Sequence, residues 1–340
     1  MALIEFDKVN IVFGDNPASA LPLMDQGLSR EDIKDQTGQI LGVHDCSLKV
    51  EEGEIAVLMG LSGSGKSTLL RAINGLNPVA RGQMWVNDGT QMADIAKASP
   101  EALRRLRQHR VSMVFQQFGL LPWLTVLDNV AFGLDVAGVP AAEQKERAMA
   151  ELARVNLTEW AGRKVRELSG GMQQRVGLAR AFATNAPILL MDEPFSALDP
   201  LIRAKLQDEL LELQQSVRRT IVFVSHDLEE AVKIGSHISI MEGGRIVQSG
   251  TPQDIVLKPA TPYVAEFVAN LNPLPLMRAS DAMRDVPPSD GAPSVPPDMR
   301  AAELAQVLQN HGGKRLAVVE NGALLGSVGA EDVLSRLAAR

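Results

Sequence analysis

Residues 60–68 read Gly-Leu-Ser-Gly-Ser-Gly-Lys-Ser-Thr and stand between an apolar run, Ile55 to Leu58, and a stretch patterned as a helix, Thr68 to Asn74. Glycines at 60, 63 and 65 let a backbone wrap a phosphate chain with its N–H groups turned inward, and the helix behind adds its positive end. In such a wrap Lys66 neutralises the β and γ phosphates and Ser67 offers its hydroxyl to Mg2+, while Ser62, Ser64 and Thr68 complete the nucleotide-binding set. A second anchor is needed for the metal. The run Ile188 to Met191 ends in two adjacent carboxylates, so Asp192 is placed to hold Mg2+ through water and Glu193, pointing the other way, to orient and polarise an attacking water. Alone, an Asp-Glu pair at a strand end is often only solvated; the glycine loop gives this one its meaning.

A third segment, Leu168-Ser169-Gly170-Gly171-Met172-Gln173-Gln174-Arg175, puts Ser-Gly-Gly at the head of a helix rich in Gln and Arg, which no fold requirement demands. The bland alternative is a helix capped by Ser169. Here the chain resembles the ATP-binding-cassette ATPases. That resemblance implies that Ser169, Gly170 and Gly171 close over ATP held by the glycine loop of a second copy, making ATP the glue of a head-to-tail dimer. Met172 stands where many cassettes carry Gln. Three further matches follow in family order. Gln116, ending Val111 to Phe115, matches the loop glutamine that meets Mg2+ and the γ-phosphate, with Gln117 beside it as an alternative. Asp199 in Ser196-Ala197-Leu198-Asp199 matches the segment through which subunits touch each other's sites. His226 matches the switch histidine that contacts the γ-phosphate and steadies Glu193, so the catalytic set is Glu193, His226 and Lys66. Phe13 is the candidate for the aromatic that stacks on adenine, a core phenylalanine being the other reading.

The elements that must position these groups are legible in outline. Early strands alternate from Leu3 to Val12 and run from Val43 to Val50 and from Ile55 to Leu58. Between them residues 14–41 are polar, with a short helix expected after Ser29, and read as a surface insertion. Helical patterning dominates Pro100 to Arg107 and Val126 to Arg163, placing a helical subdomain at about 118–165. Strand and helix then alternate through Ile188 to Met191, Leu201 to Val217, Thr220 to Ser225 and Leu228 to Ile234, the cadence of a parallel sheet covered by helices. A hairpin is expected around Glu242 to Arg245. The five prolines between Asp285 and Pro297 predict a stiff exposed linker, 271–298. Residues 299–340 then form one small unit of helix, two strands and helix. The expected fold is α/β: a P-loop NTPase cassette over 1–270, with a mixed sheet core, an antiparallel β subdomain and the inserted helices, followed by a module resembling a single CBS-type repeat. That repeat either pairs with its copy in the other subunit or is a vestige.

Composition bounds the rest. Among 340 residues no stretch approaches the roughly 20 apolar positions a spanning helix needs. The start carries no export signal, and the single Cys46 fits a reducing compartment and a core position. A net charge of −7 argues against a nucleic-acid partner. Within the cassettes, the insertion after Phe13, Leu198 to Arg203 and Ser225 to Ala231 look like the importer ATPases for quaternary amines such as choline, glycine betaine and proline betaine. Phe118 to Asn129 and Met84 to Gly89 lean toward the choline branch. The resemblance implies ATP and Mg2+ as cofactors and a place on the cytoplasmic face of the inner membrane. Its implied partners are a second copy, integral-membrane permease subunits and, indirectly, an extracytoplasmic substrate-binding protein. Leu120 to Leu124 is expected to receive a permease helix, or else to belong to the subdomain core. The rivals are a soluble cassette ATPase acting on ribosomes or DNA, opposed by the lack of a second cassette, and a non-catalytic regulatory subunit, opposed by Glu193 and His226.

Overall fold

Strands buried on both faces of a sheet need side chains that are apolar at nearly every position, and three runs meet that demand: Ile55–Met59, Ile188–Asp192 and Thr220–Val224. All of their residues are buried in the computed structural model, which describes residues 1–116, 119–196 and 198–338. Gln117, Phe118 and Ala197, named above, lie outside the described residues. In chain order the strands are β1 (Ala2–Phe13), β2 (Ile40–Glu51), β3 (Ile55–Met59), β4 (Arg81–Asn87), β5 (Met92–Asp94), β6 (Val111–Val114), β7 (Ile188–Asp192), β8 (Thr220–Val224), β9 (His237–Glu242), β10 (Arg245–Gly250), β11 (Ser294–Val295), β12 (Leu316–Glu320) and β13 (Ala323–Val328).

The chain divides into two units, 1–249 and 250–340. In the first, β10-β9-β3-β8-β7-β6 form one sheet, with β3, β6, β7, β8 and β9 parallel where they pair, and β2-β1-β4-β5 form an antiparallel sheet. The helix Lys66–Ile73 belongs to the core that joins them: Leu69, Leu70 and Ile73 pack with Phe6 and Val43 of one sheet and Leu58, Leu190 and Val222 of the other. A second core gathers Val130, Leu152, Val176 and Ala179 from the helices Val126–Val136, Ala141–Arg154 and Gly170–Ala183. The helical layer therefore extends past the expected 165, because Gly170–Ala183 supplies its inner face.

The insertion at 14–41 holds the helix Arg30–Thr37, capped by Ser29 in a reciprocal box with Asp32. It is not merely polar surface. Ala20, Met24 and Ile33 form a small core with Val12 and Leu41, fastening the insertion to the ends of β1 and β2.

In the second unit the expectation of an exposed linker at 271–298 fails. Met277, Ala279, Ala282 and Val295 are buried with Leu304, Leu316 and Val328, and β11 pairs in parallel with β12 while β13 runs antiparallel on the other side. Prolines are tolerated there because an edge strand needs only one row of backbone bonds. The proline count hid the few apolar residues that do the packing. Within this unit Asp332 is almost wholly buried and receives Arg284 at 2.7 Å and Arg315 at 2.5 Å.

Cys46 lies fully buried on β2 and its thiol donates to the Gly244 carbonyl at 3.2 Å. Burial pushes the thiol up to about 11. At pH 8 the thiolate is then roughly a thousandth of the population. Iodoacetamide at that pH is expected to leave the native protein unlabelled and to label it in urea; rapid native labelling would contradict this placement.

Candidate functional site

The register of the central strands brings the chemistry to one edge. Leu58 pairs with Val224 and Val224 with Asp192, so the chain leaves β3, β7 and β8 at the same level, where the glycine loop, Glu193 and His226 follow. Ligands in parallel sheets bind at this end because loops there can converge without blocking the strands.

Gly60, Gly63 and Gly65 all have positive φ, at 143°, 78° and 100°, and a Cβ on Gly60 would strike the Met241 carbonyl. The loop they shape is therefore closed to other residues at 60. Lys66 is buried and donates to the carbonyls of Gly60 (2.8 Å) and Leu61 (2.9 Å). Burial lowers its ammonium from the usual lysine range, opposed by the charges of Glu193 and Asp192. Backbone acceptors of this kind hold the Nζ in place and can be exchanged for phosphate oxygens.

Asp192 is fully buried and both its oxygens are engaged: Ser67 Oγ donates to Oδ1 at 2.6 Å and Arg71 Nη2 to Oδ2 at 2.8 Å. Ser67 and Arg71 lie four residues apart on one helix face, which is why both reach the same carboxylate. The next residue turns sharply. Glu193 has φ 47°, a left-handed backbone that costs a side-chain-bearing residue of order 1 kcal/mol and separates its carboxylate from that of Asp192. Its Oε2 accepts from Gln116 Nε2 at 3.0 Å and lies 3.3 Å from His226 Nδ1. Three residues separated by up to 110 positions thus meet at one oxygen.

A cleft of about 630 Å3 opens over this cluster. Its walls include Ser62, Gly63, Gly65, Lys66, Ser67, Thr68, Gln116 and Glu193. Phe13 lies on the wall too, partly buried, its ring close enough that a Cβ on Gly42 would meet it. Gly60 and Ser64 lie in the loop behind, Ser64 buried. The oxygens of Ser67, Asp192 and Gln116 form a hard donor set of the kind Mg2+ takes alongside phosphate oxygens and water.

Asp192 and His226 stand just behind that lining through Ser67 and Glu193, whereas Ser169, Gly170, Gly171 and Asp199 neither line the cleft nor share these contacts. Ser169 and Gly170 are exposed, Ser169 capping the helix Gly170–Ala183 by accepting from Met172 N at 3.4 Å. Gly171 approaches Leu198, and Asp199 caps the helix Pro200–Val217 through Ile202 N at 3.1 Å. Sequence reasoning missed Arg71, which the i, i+4 spacing from Ser67 signals, and Arg30, Glu31 and Lys34, which line the cleft from the insertion and have no local signal. In the stretch expected to meet a permease, Leu120 packs on the helical core whereas Trp123 is 67% exposed.

The ABC transporter family model matches residues 43–196 and the CBS domain model residues 280–339. The chain is 46% identical to the glycine betaine/proline betaine transport system ATP-binding protein ProV of Escherichia coli (strain K12), over 98% of this chain and 82% of that protein. It is 46% identical to the glycine betaine/carnitine transport ATP-binding protein GbuA of Listeria monocytogenes, over 83% and 70%, and 42% identical to the trimethylamine N-oxide transport system ATP-binding protein TmoW of Ruegeria pomeroyi, over 95% and 94%. Among solved structures, the dimeric structure of MJ0796, a bacterial ABC transporter cassette, superposes with a TM-score of 0.63 at 30% identity over 73% of this chain and 98% of that one. The same cassette in a post-hydrolysis state bound to ADP and Pi gives the same score at 29% identity.

Replacing Arg71 by Met removes the cation from a buried carboxylate. Because Arg71 is partly exposed, the expected loss is about 2 kcal/mol, below the full cost for a buried pair, read as a lower urea midpoint at pH 7. An unchanged midpoint would show that Asp192 does not depend on it.

Proposed function

This chain belongs to the family of ABC transporter ATPases, and from that membership we propose that it is the ATP-hydrolysing subunit of an importer for a small quaternary amine, working as a head-to-tail pair against a separate membrane permease. The observation that carries the reading is the convergence of Gln116 and His226 on Glu193 beside the glycine loop. A binding module has no need of a fixed carboxylate there; a hydrolase does.

In the proposed cycle Lys66 exchanges its two carbonyl partners for oxygens of the β and γ phosphates, and Thr68 and the glycine-loop amides hold the phosphate chain. Ser67, Asp192 and Gln116 would hold Mg2+, which would supply neutralisation of the phosphate charge. Glu193, kept in place by Gln116 and His226, orients a water and takes its proton as the water oxygen bonds to the γ-phosphorus and the bond from that phosphorus to the β–γ bridging oxygen breaks, releasing ADP and phosphate. His226 follows the γ-phosphate while steadying Glu193. Phe13 offers its ring to the adenine.

Ser169, Gly170, Gly171 and Asp199 complete the site of the second copy. This assignment is supported by their position outside the chain's own cleft and by the likeness to a dimeric cassette. Closure of the pair drives the permease through the surface around Trp123, and hydrolysis lets the pair reopen. The permease receives its amine from an extracytoplasmic binding protein, and the ATPase sits peripherally on the cytoplasmic face of the inner membrane. Among the described residues no helix is long and apolar enough to cross a membrane.

The cargo class rests on relatives whose names specify glycine betaine, proline betaine, carnitine and trimethylamine N-oxide. These share a methylated nitrogen in a compact polar molecule, and choline, favoured by the sequence marks, belongs to the same set. Uptake of radiolabelled choline and glycine betaine by cells with and without the gene assigns the cargo. Loss of neither uptake would sink the quaternary-amine reading.

Glu193→Gln is expected to bind ATP and dimerise while its kcat falls at least about a hundredfold. Rapid turnover by that variant would remove Glu193 as the base. Ser169→Arg is expected to bind nucleotide as a monomer and to lose hydrolysis; a full ATPase rate would overturn the paired site.

A further inference from the structure

We infer that the inserted helix Arg30–Thr37 is a working wall of the nucleotide site, with Arg30 positioning the phosphate loop and Lys34 lending the cleft positive charge. The inference rests on the ATPase reading above and extends it to residues outside the loop, strand-end and histidine motifs.

The geometry centres on the Arg30 guanidinium. Its Nη1 donates to the Gly63 carbonyl at 2.9 Å and its Nη2 to the Gly42 carbonyl at 2.5 Å. Gly63 lies midway along the phosphate loop with a left-handed backbone, and since Ser64 N donates to Leu61 O at 3.2 Å, Arg30 anchors the carbonyl side of a peptide whose amide is already held within the loop. A Cβ on Gly244 would collide with the same guanidinium. Arg30 therefore sits among the phosphate loop, β2 and the β9–β10 turn, where Gly244 N in turn donates to Ser64 O at 3.1 Å. One side chain links the outer and inner walls of the loop.

The second part is electrostatic. Arg30 and Lys34 are one turn apart and both line the cleft, and among the described residues neither forms an ion pair with a carboxylate. Of the five charged residues on this helix, Arg30, Lys34 and Glu31 line the cleft, two cations against one anion, whereas Asp32 and Asp35 are not in its lining. Two of the Arg30 guanidinium's five N–H groups go to neutral carbonyls and, among the described residues, none to a carboxylate, which leaves its charge to act on whatever anion enters. The apolar residues Ile33, Met24 and Ala20 bury the opposite side of the insertion and fix where these cations stand. A nucleoside triphosphate is the polyanion this arrangement suits.

The test uses the full-length protein, with the binding of a fluorescent ATP analogue and steady-state ATPase kinetics as readouts. Arg30→Ala is expected to raise both the analogue's Kd and the KM for ATP about tenfold, the scale of losing charge-assisted bonds, with kcat within about twofold. Arg30→Lys, which keeps the charge and can reach one carbonyl, is expected to recover part of that affinity. Lys34→Ala, an exposed position, is expected to weaken binding about threefold. A Kd for Arg30→Ala within about twofold of the parent overturns the proposal, as does a fall in kcat and melting temperature with KM unchanged. Should Arg30→Ala fail to fold, Lys34→Ala decides, and unchanged binding there overturns the proposal. A parent protein without ATPase activity would sink the functional reading instead, which keeps the two failures apart.

Discussion

The site depends on the register of three buried parallel strands. β3, β8 and β7 pair with no slip, Leu58 opposite Val224 and Val224 opposite Asp192. A one-residue shift would turn every side chain of a strand to the other face, where its packing partners differ, and would move Asp192 from its place opposite Val224. The level at which each strand ends is thus fixed by core packing rather than by the polar residues that follow. Lys66, Asp192, Glu193 and His226 are delivered to one edge by residues that take no part in the chemistry.

What the edge then has to manage is charge. Two carboxylates adjacent in sequence are kept apart by a left-handed residue at 193, which sends one toward Ser67 and Arg71 and the other toward Gln116 and His226. Lys66 stands between the phosphate loop and both acids. Burial works against its charge, and the two acids work for it. A site built to stabilise a phosphate polyanion must be positive enough to attract it, and Arg71 offsets the cost of placing Asp192 where no water reaches.

Much of this was legible because the informative residues lie in short, ordered runs. The glycine loop, the Asp-Glu strand end and the strand before His226 each combine a period-2 or fully apolar run with a turn residue, and each falls where it was expected. Arg71 was recoverable from helical spacing alone. Arg30 was not, since its partners lie 12 and 33 residues away and meet it only after β2 and the insertion have folded. The segment 271–298 misled for the opposite reason. Its prolines are conspicuous, whereas Met277, Ala279, Ala282 and Val295, which seat it in the second unit, are few and scattered. Composition averages over such anchors, and packing does not.

The two oxygens of Glu193 are not equivalent. Oε2 is occupied from two sides, by an amide and an imidazole, whereas among the described residues no hydrogen bond reaches Oε1. The carboxylate is therefore oriented by one atom and available through the other. Rotation about its last torsion would exchange these duties only by breaking both anchoring contacts at once. In the proposed cycle that asymmetry leaves Oε1 as the atom open to the proton of an incoming solvent molecule, and it ties the direction of approach to the side chains at 116 and 226.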